Sequence, residues 1–149
     1  MPEAVLRPAT RADAQGIATL FRAARAAAMP WLPVLHDPAS DLVFFRDRVL
    51  SEAEVTLTHR NGALAGFVAV TDDTIDHLYI HPDHWRHGLG RRLVMAAQAS
   101  RPRLSLWTFQ GNAAARAFYA ACGFVEVETT DGGGNEERTP DVRLAWRRV

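Results

Sequence analysis

The sequence predicts an α/β (α+β) fold, with a mixed, mostly antiparallel sheet of seven strands and helices on both faces. Three observations predict it. Short apolar runs that alternate with period two indicate strands, and apolar residues at i, i+3, i+4 and i+7 indicate helices between them. The Asn61-Gly62 pair predicts a tight hairpin, so the flanking strands run antiparallel. The predicted order is β-α-α-β-β-β-α-β-α-β-β, and we expect residues 1–149 to form a single domain.

The first half of the chain is predicted to supply four strands and two helices. Thr10 begins the first helix, with Asp13 three residues later in a capping-box arrangement, and Pro30 ends it. Asp37 and Pro38 favour the start of a second helix over about residues 39–50. The predicted strands lie at residues 5–9, 54–59, 63–71 and 74–81.

The second half is predicted to supply two helices and three strands. His87 to Gly90 opens the third helix, and Asn112 begins the fourth, which Gly123 ends as a C-cap. Three consecutive glycines within residues 131–139 predict a mobile loop. The predicted strands lie at residues 103–109, 124–130 and 141–147.

Charge is balanced in total and uneven along the chain. The 17 basic residues are all Arg, and they match 17 acidic residues. Residues 84–125 hold six of the Arg and no acid, whereas the segments on either side are net acidic. The neutral total argues against nucleic-acid binding and against a polybasic membrane anchor. The local basic block predicts an anionic ligand, and the acidic flanks favour a cationic amine as a second ligand.

Several other function classes are not expected. Cys122 is the single Cys, so there is no internal disulfide framework or multi-Cys metal site. Four His fall between residues 77 and 87, but Pro82 interrupts any helical pair, and no metal is expected. Residues 1–5 lack the basic and apolar regions of a signal peptide, and no apolar run approaches a membrane span of roughly 20 residues. We therefore expect a cytoplasmic protein.

The segment from Trp85 to Gly90 predicts a phosphate-binding loop. It follows a strand and opens a helix, and Gly88 and Gly90 allow the backbone to approach a ligand closely. Unpaired N–H groups and the helix dipole favour an anion at such a helix start. The segment has neither the Gly-Lys-Ser/Thr of a Walker loop nor the third Gly of a dinucleotide fingerprint. An ordinary glycine-containing turn between strand and helix is the alternative.

Two motifs in this order resemble the GNAT superfamily of acetyl-coenzyme A-dependent N-acetyltransferases. Trp85-Arg86-His87-Gly88-Leu89-Gly90 is similar to the family's loop Gln/Arg-x-x-Gly-x-Gly/Ala, with Trp85 at the position where Gln or Arg is usual. The segment from Asn112 to Phe124 matches the pattern Asn-x-x-Ala-x-x-Phe/Leu-Tyr-x-x-x-Gly-Phe throughout. The element order matches over nearly the whole chain. The resemblance implies that strands four and five splay apart.

The resemblance also implies a site for acetyl-CoA as co-substrate. The pantetheine arm is expected to pair with the main chain of Leu78, Tyr79 and Ile80 on strand four. Asn112 is expected beside pantetheine, although a helix N-cap explains it equally well. The other residues implied to contact the cofactor are Arg86, His87, Gly88, Leu89, Gly90, Arg91, Ala115, Arg116, Phe118 and Tyr119, with Arg92 as a further phosphate candidate.

Three residues are candidates for catalysis. The resemblance implies Tyr119 as the general acid towards the coenzyme A sulfur, since a phenol with a pKa near 10 is protonated at neutral pH. A tyrosine packed in the helix core is the alternative. Asp76 and His77 are candidates for the base, and strand alternation predicts that they lie on opposite faces. The loop residues Glu136 and Glu137, or a water chain without a dedicated base, are the other possibilities.

The implied reaction moves an acetyl group to a primary amine of a small molecule or peptide by direct transfer in a ternary complex. The acceptor pocket is expected to form from the first two helices, their connection and the final hairpin. A longer acyl donor is one alternative. A non-catalytic acyl-CoA-binding sensor of the same fold is another. Both a monomer and a homodimer are compatible with the sequence.

Overall fold

The computed structural model of the chain describes residues 4–149. The expectation that no signal peptide begins the chain concerns residues 1–5, of which 1–3 lie outside the described part. Short 3-10 turns form at Arg11–Asp13 and Pro82–His84. The helices are α1 (Ala14–Ala28), α2 (Pro38–Phe44), α3 (Leu50–Glu52), α4 (Leu89–Ser100) and α5 (Ala113–Ala121). The strands are β1 (Ala4–Pro8), β2 (Glu54–Arg60), β3 (Ala63–Thr71), β4 (Thr74–Ile80), β5 (Arg103–Phe109), β6 (Val125–Thr130) and β7 (Asp141–Arg147).

The seven strands form one sheet in the order β1-β2-β3-β4-β5-β7-β6. Neighbouring strands run antiparallel except for β4 and β5, which run parallel. The predicted mixed, mostly antiparallel sheet is therefore confirmed. Within residues 4–149, every helix falls short of the length and apolar character that crossing a bilayer requires.

β4 and β5 are joined at one position only. Thr74 lies opposite Ser105, and the N–H of Ser105 donates a hydrogen bond of 2.8 Å to the carbonyl of Asp73. Beyond this junction the two strands separate and leave a cleft between their facing edges. The splay that the sequence resemblance implies is thus present, and it opens towards the ends of the strands that precede the 3-10 turn and α5.

Helices cover both faces of the sheet. On one face, α4 and α5 pack with β3, β5 and β7 around the fully buried Leu93, Val94 and Leu106. On the other face, α1 packs with the segment after α2, around Ile17, Phe45 and the other members of a second cluster. The two clusters meet the cleft from opposite sides, so a side chain from either layer can reach it.

The predicted second helix differs from the observed one. Instead of a single helix over about residues 39–50, α2 ends at Phe44 and a π-helical turn spans Phe45–Val49 before α3. A spacing of four residues is slightly more than one turn of an α-helix and slightly less than one turn of a π-helix. The mixture therefore aligns positions 41, 45 and 49, and Asp41, Phe45 and Val49 are all buried.

The start of α1 and the glycine-rich loop also differ from the prediction in detail. The Thr10–Asp13 capping box is present, but it caps a 3-10 turn, and α1 begins at Ala14. The loop between β6 and β7 was predicted to be mobile. Its Glu137 bonds to Arg25 of α1 at 2.7 Å, and its Glu136 bonds to His36 at 2.6 Å. Two contacts therefore tie this loop to the first helical layer.

Candidate active site

The cleft between β4 and β5 collects all three residues predicted to be catalytic. Asp76 and His77 enter from β4, and Tyr119 enters from α5. The pocket is narrow because two strands form its walls and α5 closes one end. The other residues that line it are Met29, Ile75, Leu78, Tyr79, Leu106, Trp107, Thr108, Asn112 and Ala115.

The edge of β4 that faces the cleft carries free main-chain groups. The N–H of His81 donates to the carbonyl of Ala65 on β3 at 2.8 Å. Because residues of an antiparallel pair alternate between bonded and non-bonded positions, Tyr79 is directed at β3 like His81, whereas Leu78 and Ile80 are directed away from it. Of the three strand-four residues predicted to pair with pantetheine, Leu78 and Ile80 thus present their peptide groups to the cleft.

Asp76 sits at a β-bulge. β4 has one residue more than β3 between two neighbouring pairs, and that residue is Asp76. Its carboxylate accepts a hydrogen bond of 2.5 Å from the hydroxyl of Thr71. Thr71 lies on the same face of β3 as Ala69, which pairs with His77. The bulge cancels the alternation, so the prediction that Asp76 and His77 face opposite sides is wrong.

The environment moves the pKa values of these two candidates in opposite directions. The Asp76 residue is exposed, and the partial burial of its carboxyl raises the pKa above its ordinary value, against the opposing effect of the Thr71 hydrogen bond. Burial, and then the positive charge of Arg25, lower the pKa of His77 to about 4. His77 is therefore neutral at pH 7 and a weak base. Its ring packs among aromatic side chains, namely Phe21, Phe44, Phe45, Phe67 and Tyr79.

Tyr119 is buried to 7% exposure, and its ring packs against Phe118 and Phe124. Burial raises the pKa of its phenol, and the nearby Tyr79 raises it further. Within residues 4–149 no group accepts a hydrogen bond from its hydroxyl, and the residue lines the cleft. The Tyr119 hydroxyl is therefore protonated at neutral pH, and it is a hydrogen-bond donor without a protein acceptor in the described residues. It lies where α5 meets the strands. The ring belongs to the core, as the alternative predicted, and the residue also borders the cleft. Its role as a general acid stays a prediction.

The predicted phosphate loop lies at the start of α4. Gly88 has a φ of 74° and Arg86 a φ of 66°, so two left-handed residues turn the loop before the helix begins. A side chain at Gly90 would approach the ring of Phe118 to 3.2 Å, so the absence of one lets α4 pack closely on α5. A pocket opens here, lined by Ile80, His84, Trp85, Arg86, Gly88, Leu89, Gly90, Arg91, Phe118, Ala121 and Cys122.

The basic block divides into paired and unpaired halves. Three of its Arg pair with carboxylates, and these are Arg101, Arg103 and Arg116. No Asp or Glu of residues 4–149 pairs with the other three, which all lie at the loop: Arg86, Arg91 and Arg92. The cations that are available to an anionic ligand therefore gather at one helix start.

Some predicted contacts lie elsewhere. The guanidinium of Arg116 is held by Glu126 and by the carbonyl of Gln110, away from the phosphate loop. The side chain of Asn112 accepts a hydrogen bond of 3.1 Å from the N–H of Ala115, so it caps α5 while it also lines the cleft. His87 is exposed and does not line either pocket.

Trp85 occupies the unusual position of the loop motif. Its indole N–H donates a hydrogen bond of 2.7 Å to the carbonyl of Ile80. Ile80 ends β4, and its carbonyl is one of the groups directed at the cleft. The loop is thus tied to the strand by a side chain that the sequence motif alone gave no reason to assign.

A second pocket lies between α1, the connection to α2 and the β6–β7 loop. The sequence predicts an acceptor pocket in this region, and Leu32 and His36 of the connection line the pocket. Arg22 and Arg25 of α1 line it too and were not predicted. The available signal was their spacing, because two Arg three residues apart interrupt an otherwise apolar, Ala-rich helix.

Within residues 4–149, no three His, Cys, Asp or Glu side chains gather closely enough to hold a metal ion.

Comparison with known proteins agrees with this architecture. The peptidyl-lysine N-acetyltransferase YiaC of Escherichia coli strain K12 is 29% identical over 102 residues, which cover 68% of each chain. The L-amino acid N-acyltransferase MnaT of the same strain is 30% identical over 99 residues, which cover 60% of this chain and 58% of that protein. The structure of yncA from Salmonella typhimurium with its cofactor acetyl-CoA superimposes with a TM-score of 0.72 at 20% identity, over 99% of this chain and 95% of that one.

The family match covers the part of the chain that builds the cleft and the loop. The family described as acetyltransferase (GNAT) domain matches residues 51–126, about half of the chain. That range contains β4, the phosphate loop, β5 and α5. The chain belongs to the GNAT family of acetyltransferases.

Proposed function

We propose that this protein, with residues 1–149 acting as one domain, transfers the acetyl group of acetyl-CoA to a primary amine of a small molecule or peptide. Transfer is direct, within a complex that holds both substrates. The observation that carries the proposal is the continuity of the cleft with the loop. The open edge of β4 leads from Asp76 to Ile80, and the cation-flanked loop follows at once.

The residues present fit a pantetheine chain that ends in phosphates. Leu78 directs its N–H and carbonyl at the cleft, and Ile80 directs its N–H there, while the Ile80 carbonyl already accepts from Trp85. An extended amide-containing chain can pair with these open groups as a strand does. A side chain added at Gly88 would meet no atom within 4 Å, so the turn of the loop faces open space. Arg86, Arg91 and the N–H groups of the first turn of α4 border that space and favour an anion there. Acetyl-CoA supplies the acyl group as an activated thioester.

Two side chains of the cleft suit the proton transfers. Tyr119 holds its proton and can donate it to the leaving sulfur. Asp76 can accept a proton from the amine, directly or through one water, and its raised pKa makes it a better base than an ordinary carboxylate. His77 is the weaker candidate because its pKa lies near 4. Glu137 is already bonded to Arg25, and Glu136 to His36.

Two measurements test the proposal. The first is the thermal unfolding midpoint with and without coenzyme A, because a ligand at a hundred times its Kd stabilises the folded state by about 2.7 kcal/mol. Arg91→Ala should reduce this shift, and Arg103→Ala, which removes an Arg paired with Asp73, should leave it unchanged. An unchanged unfolding midpoint at saturating coenzyme A would contradict the cofactor assignment.

The second measurement is the release of free thiol from acetyl-CoA in the presence of a panel of amines. An enzyme releases thiol in proportion to the acetylated amine found by mass spectrometry. A protein that binds coenzyme A and releases no thiol with any amine is instead the sensor that the sequence leaves open. Release that does not depend on the amine indicates thioester hydrolysis and contradicts amine transfer.

A further inference from the structure

The pocket between α1 and the β6–β7 loop is small and mostly apolar. Its volume is about 120 Å³. A cavity of roughly 150 Å³ lined by apolar side chains is enough to hold a benzene ring. This pocket is slightly smaller than that and is open to solvent beside the exposed Val34 and Leu35. It has room for a branched chain of four or five carbons, or for a small ring that projects from its mouth. Its apolar lining comes from Phe21, Ala26, Met29, Leu32, Pro33, Val34 and Leu35.

This pocket adjoins the cleft that holds the catalytic candidates. Met29 lines both of them. Phe21 lines the pocket, and its ring packs edge-on against Tyr79 of the cleft with the ring centres 5.1 Å apart. The pocket and the cleft are therefore neighbours, with the buried side chains of Met29 and Phe21 at their border.

The charged groups that line the pocket already pair with one another. Arg22 bonds to Asp41 at 2.8 Å, and Arg25 bonds to Glu137 at 2.7 Å. Arg22 also donates to the carbonyl of His36. Both carboxylates are shielded, since the side chains of Asp41 and Glu137 are 8% and 13% exposed. The wall of the pocket thus contains charged groups, but each Arg is neutralised by its carboxylate partner.

We propose that the acceptor is a primary amine attached to a small apolar group, with no free carboxylate beside the amine. This inference rests on the proposed function and specifies its second substrate. The apolar group fills the pocket and directs the nitrogen towards the cleft. A carboxylate next to the amine would lose water on entering and would find no uncompensated cation there, which is costly. A neutral amide in its place carries no such charge.

The experiment compares acceptors that share one side chain. Isopentylamine, leucinamide and leucine carry the same apolar group, and only leucine carries the carboxylate. We expect kcat/KM in the thiol-release assay to be at least tenfold higher for isopentylamine and leucinamide than for leucine. Phenethylamine and phenylalanine form a second pair with the same expected order. Ethylamine, which leaves the pocket empty, should be slower than isopentylamine by at least tenfold.

A pair of variants on α1 ties the preference to this pocket. Ala26 and Ala27 are both exposed, and of the two only Ala26 lines the pocket. Ala26→Phe should fill the space and lower kcat/KM for isopentylamine at least tenfold, while ethylamine changes less than twofold. Ala27→Phe adds the same side chain one position along and should change neither value.

Several results would overturn the inference. It fails if leucine reacts as fast as leucinamide, if Nα-acetyl-lysine amide is preferred over isopentylamine, or if Ala26→Phe affects both amines equally or neither. In each of these cases thiol is still released, so the proposed function survives. If coenzyme A stabilises the protein and no amine of any class releases thiol, both the proposed function and this inference are wrong.

Discussion

The indole N–H of Trp85 and the carbonyl of Ile80 are joined by a hydrogen bond of 2.7 Å. The bond fixes the first residue of the phosphate loop to the last residue of β4, so the loop is held in place before any ligand arrives. We expect Trp85→Phe, which keeps a ring and removes the donor, to weaken coenzyme A binding about fivefold, since one such bond contributes about 1 kcal/mol. Isothermal titration calorimetry measures the change.

Trp146→Phe is the matched control, because Trp146 packs against Phe124 and lies away from the loop. It should leave the coenzyme A affinity unchanged. Tighter binding by Trp85→Phe would contradict the prediction. It would mean that the indole competes with the cofactor for the Ile80 carbonyl rather than preparing the loop.

Tyr119→Phe removes the protonated hydroxyl at the end of the cleft and keeps the buried ring. We expect kcat to fall by roughly 10²-fold or more, because general acid catalysis commonly contributes that much. Coenzyme A affinity should stay within twofold, since the hydroxyl acts on the leaving sulfur. Stopped-flow thiol detection and calorimetry measure the two quantities. A variant with unchanged kcat would rule out Tyr119 as the acid.

Asp76→Asn tests the base. The amide keeps the shape of the carboxyl and cannot accept the amine proton, so kcat/KM should fall by about 10²-fold at pH 7. Asp83→Asn changes an exposed carboxylate just after β4 and should have no effect. If Asp76→Asn retains activity within threefold, a water chain removes the proton and no single base is needed.

His77 makes stability depend on pH. Its pKa is about 4 in the folded protein against an ordinary value of 6.5, so the unfolded chain binds a proton that the folded protein does not. Folding stability should therefore fall as the pH drops from 6.5 to about 4, by up to about 3 kcal/mol, and then level off. In urea unfolding at pH 4.5 and 7, His77→Leu should show a smaller difference than the parent. An equal difference in both proteins would exclude His77 as the cause.

Thr58 of β2 carries a buried hydroxyl without a hydrogen-bond partner among residues 4–149. Its side chain is fully buried. Thr58→Val keeps the shape and removes the unpaired oxygen, so the protein should gain about 1 kcal/mol, which calorimetry records as a higher Tm. Thr56→Val, on a half-buried position of the same strand, should change stability by less. A lower Tm for Thr58→Val would show that the hydroxyl is paired in solution.

Local patterns explain how much of the fold the sequence could predict. Short apolar runs placed β3, β5 and β7 at their observed bounds, with the Asn61-Gly62 turn before β3, and Asn112 and Gly123 marked the ends of α5. The two motifs located the loop and the cleft because each is built from residues that are close in sequence. The bulge at Asp76 was not predicted, because a single extra residue leaves the apolar pattern of a strand almost unchanged.

The acceptor side was harder to predict because its contacts join distant parts of the chain. Arg25 and Glu137 are 112 residues apart in sequence, and His36 and Glu136 are 100 apart. No periodicity links such positions. The lowered pKa of His77 was equally hidden, because the burial that lowers it comes from side chains of α1, α2, the π-helical turn and β3 that pack around one imidazole.

Because β4 and β5 pair only at Thr74 and Ser105, the sheet consists of two parts that are joined at one position. β1 to β4 form one part, and β5, β7 and β6 form the other. The cluster around α4 and α5 joins the two parts on one face of the sheet. On the other face, the Arg25–Glu137 and His36–Glu136 contacts join the α1 layer to the β6–β7 loop. An extended ligand in the gap that pairs with β4 on one side and β5 on the other would bridge the two parts of the sheet with hydrogen bonds. The amides of Leu78 and Ile80 should then gain protection from hydrogen exchange, and the two parts should unfold as one unit.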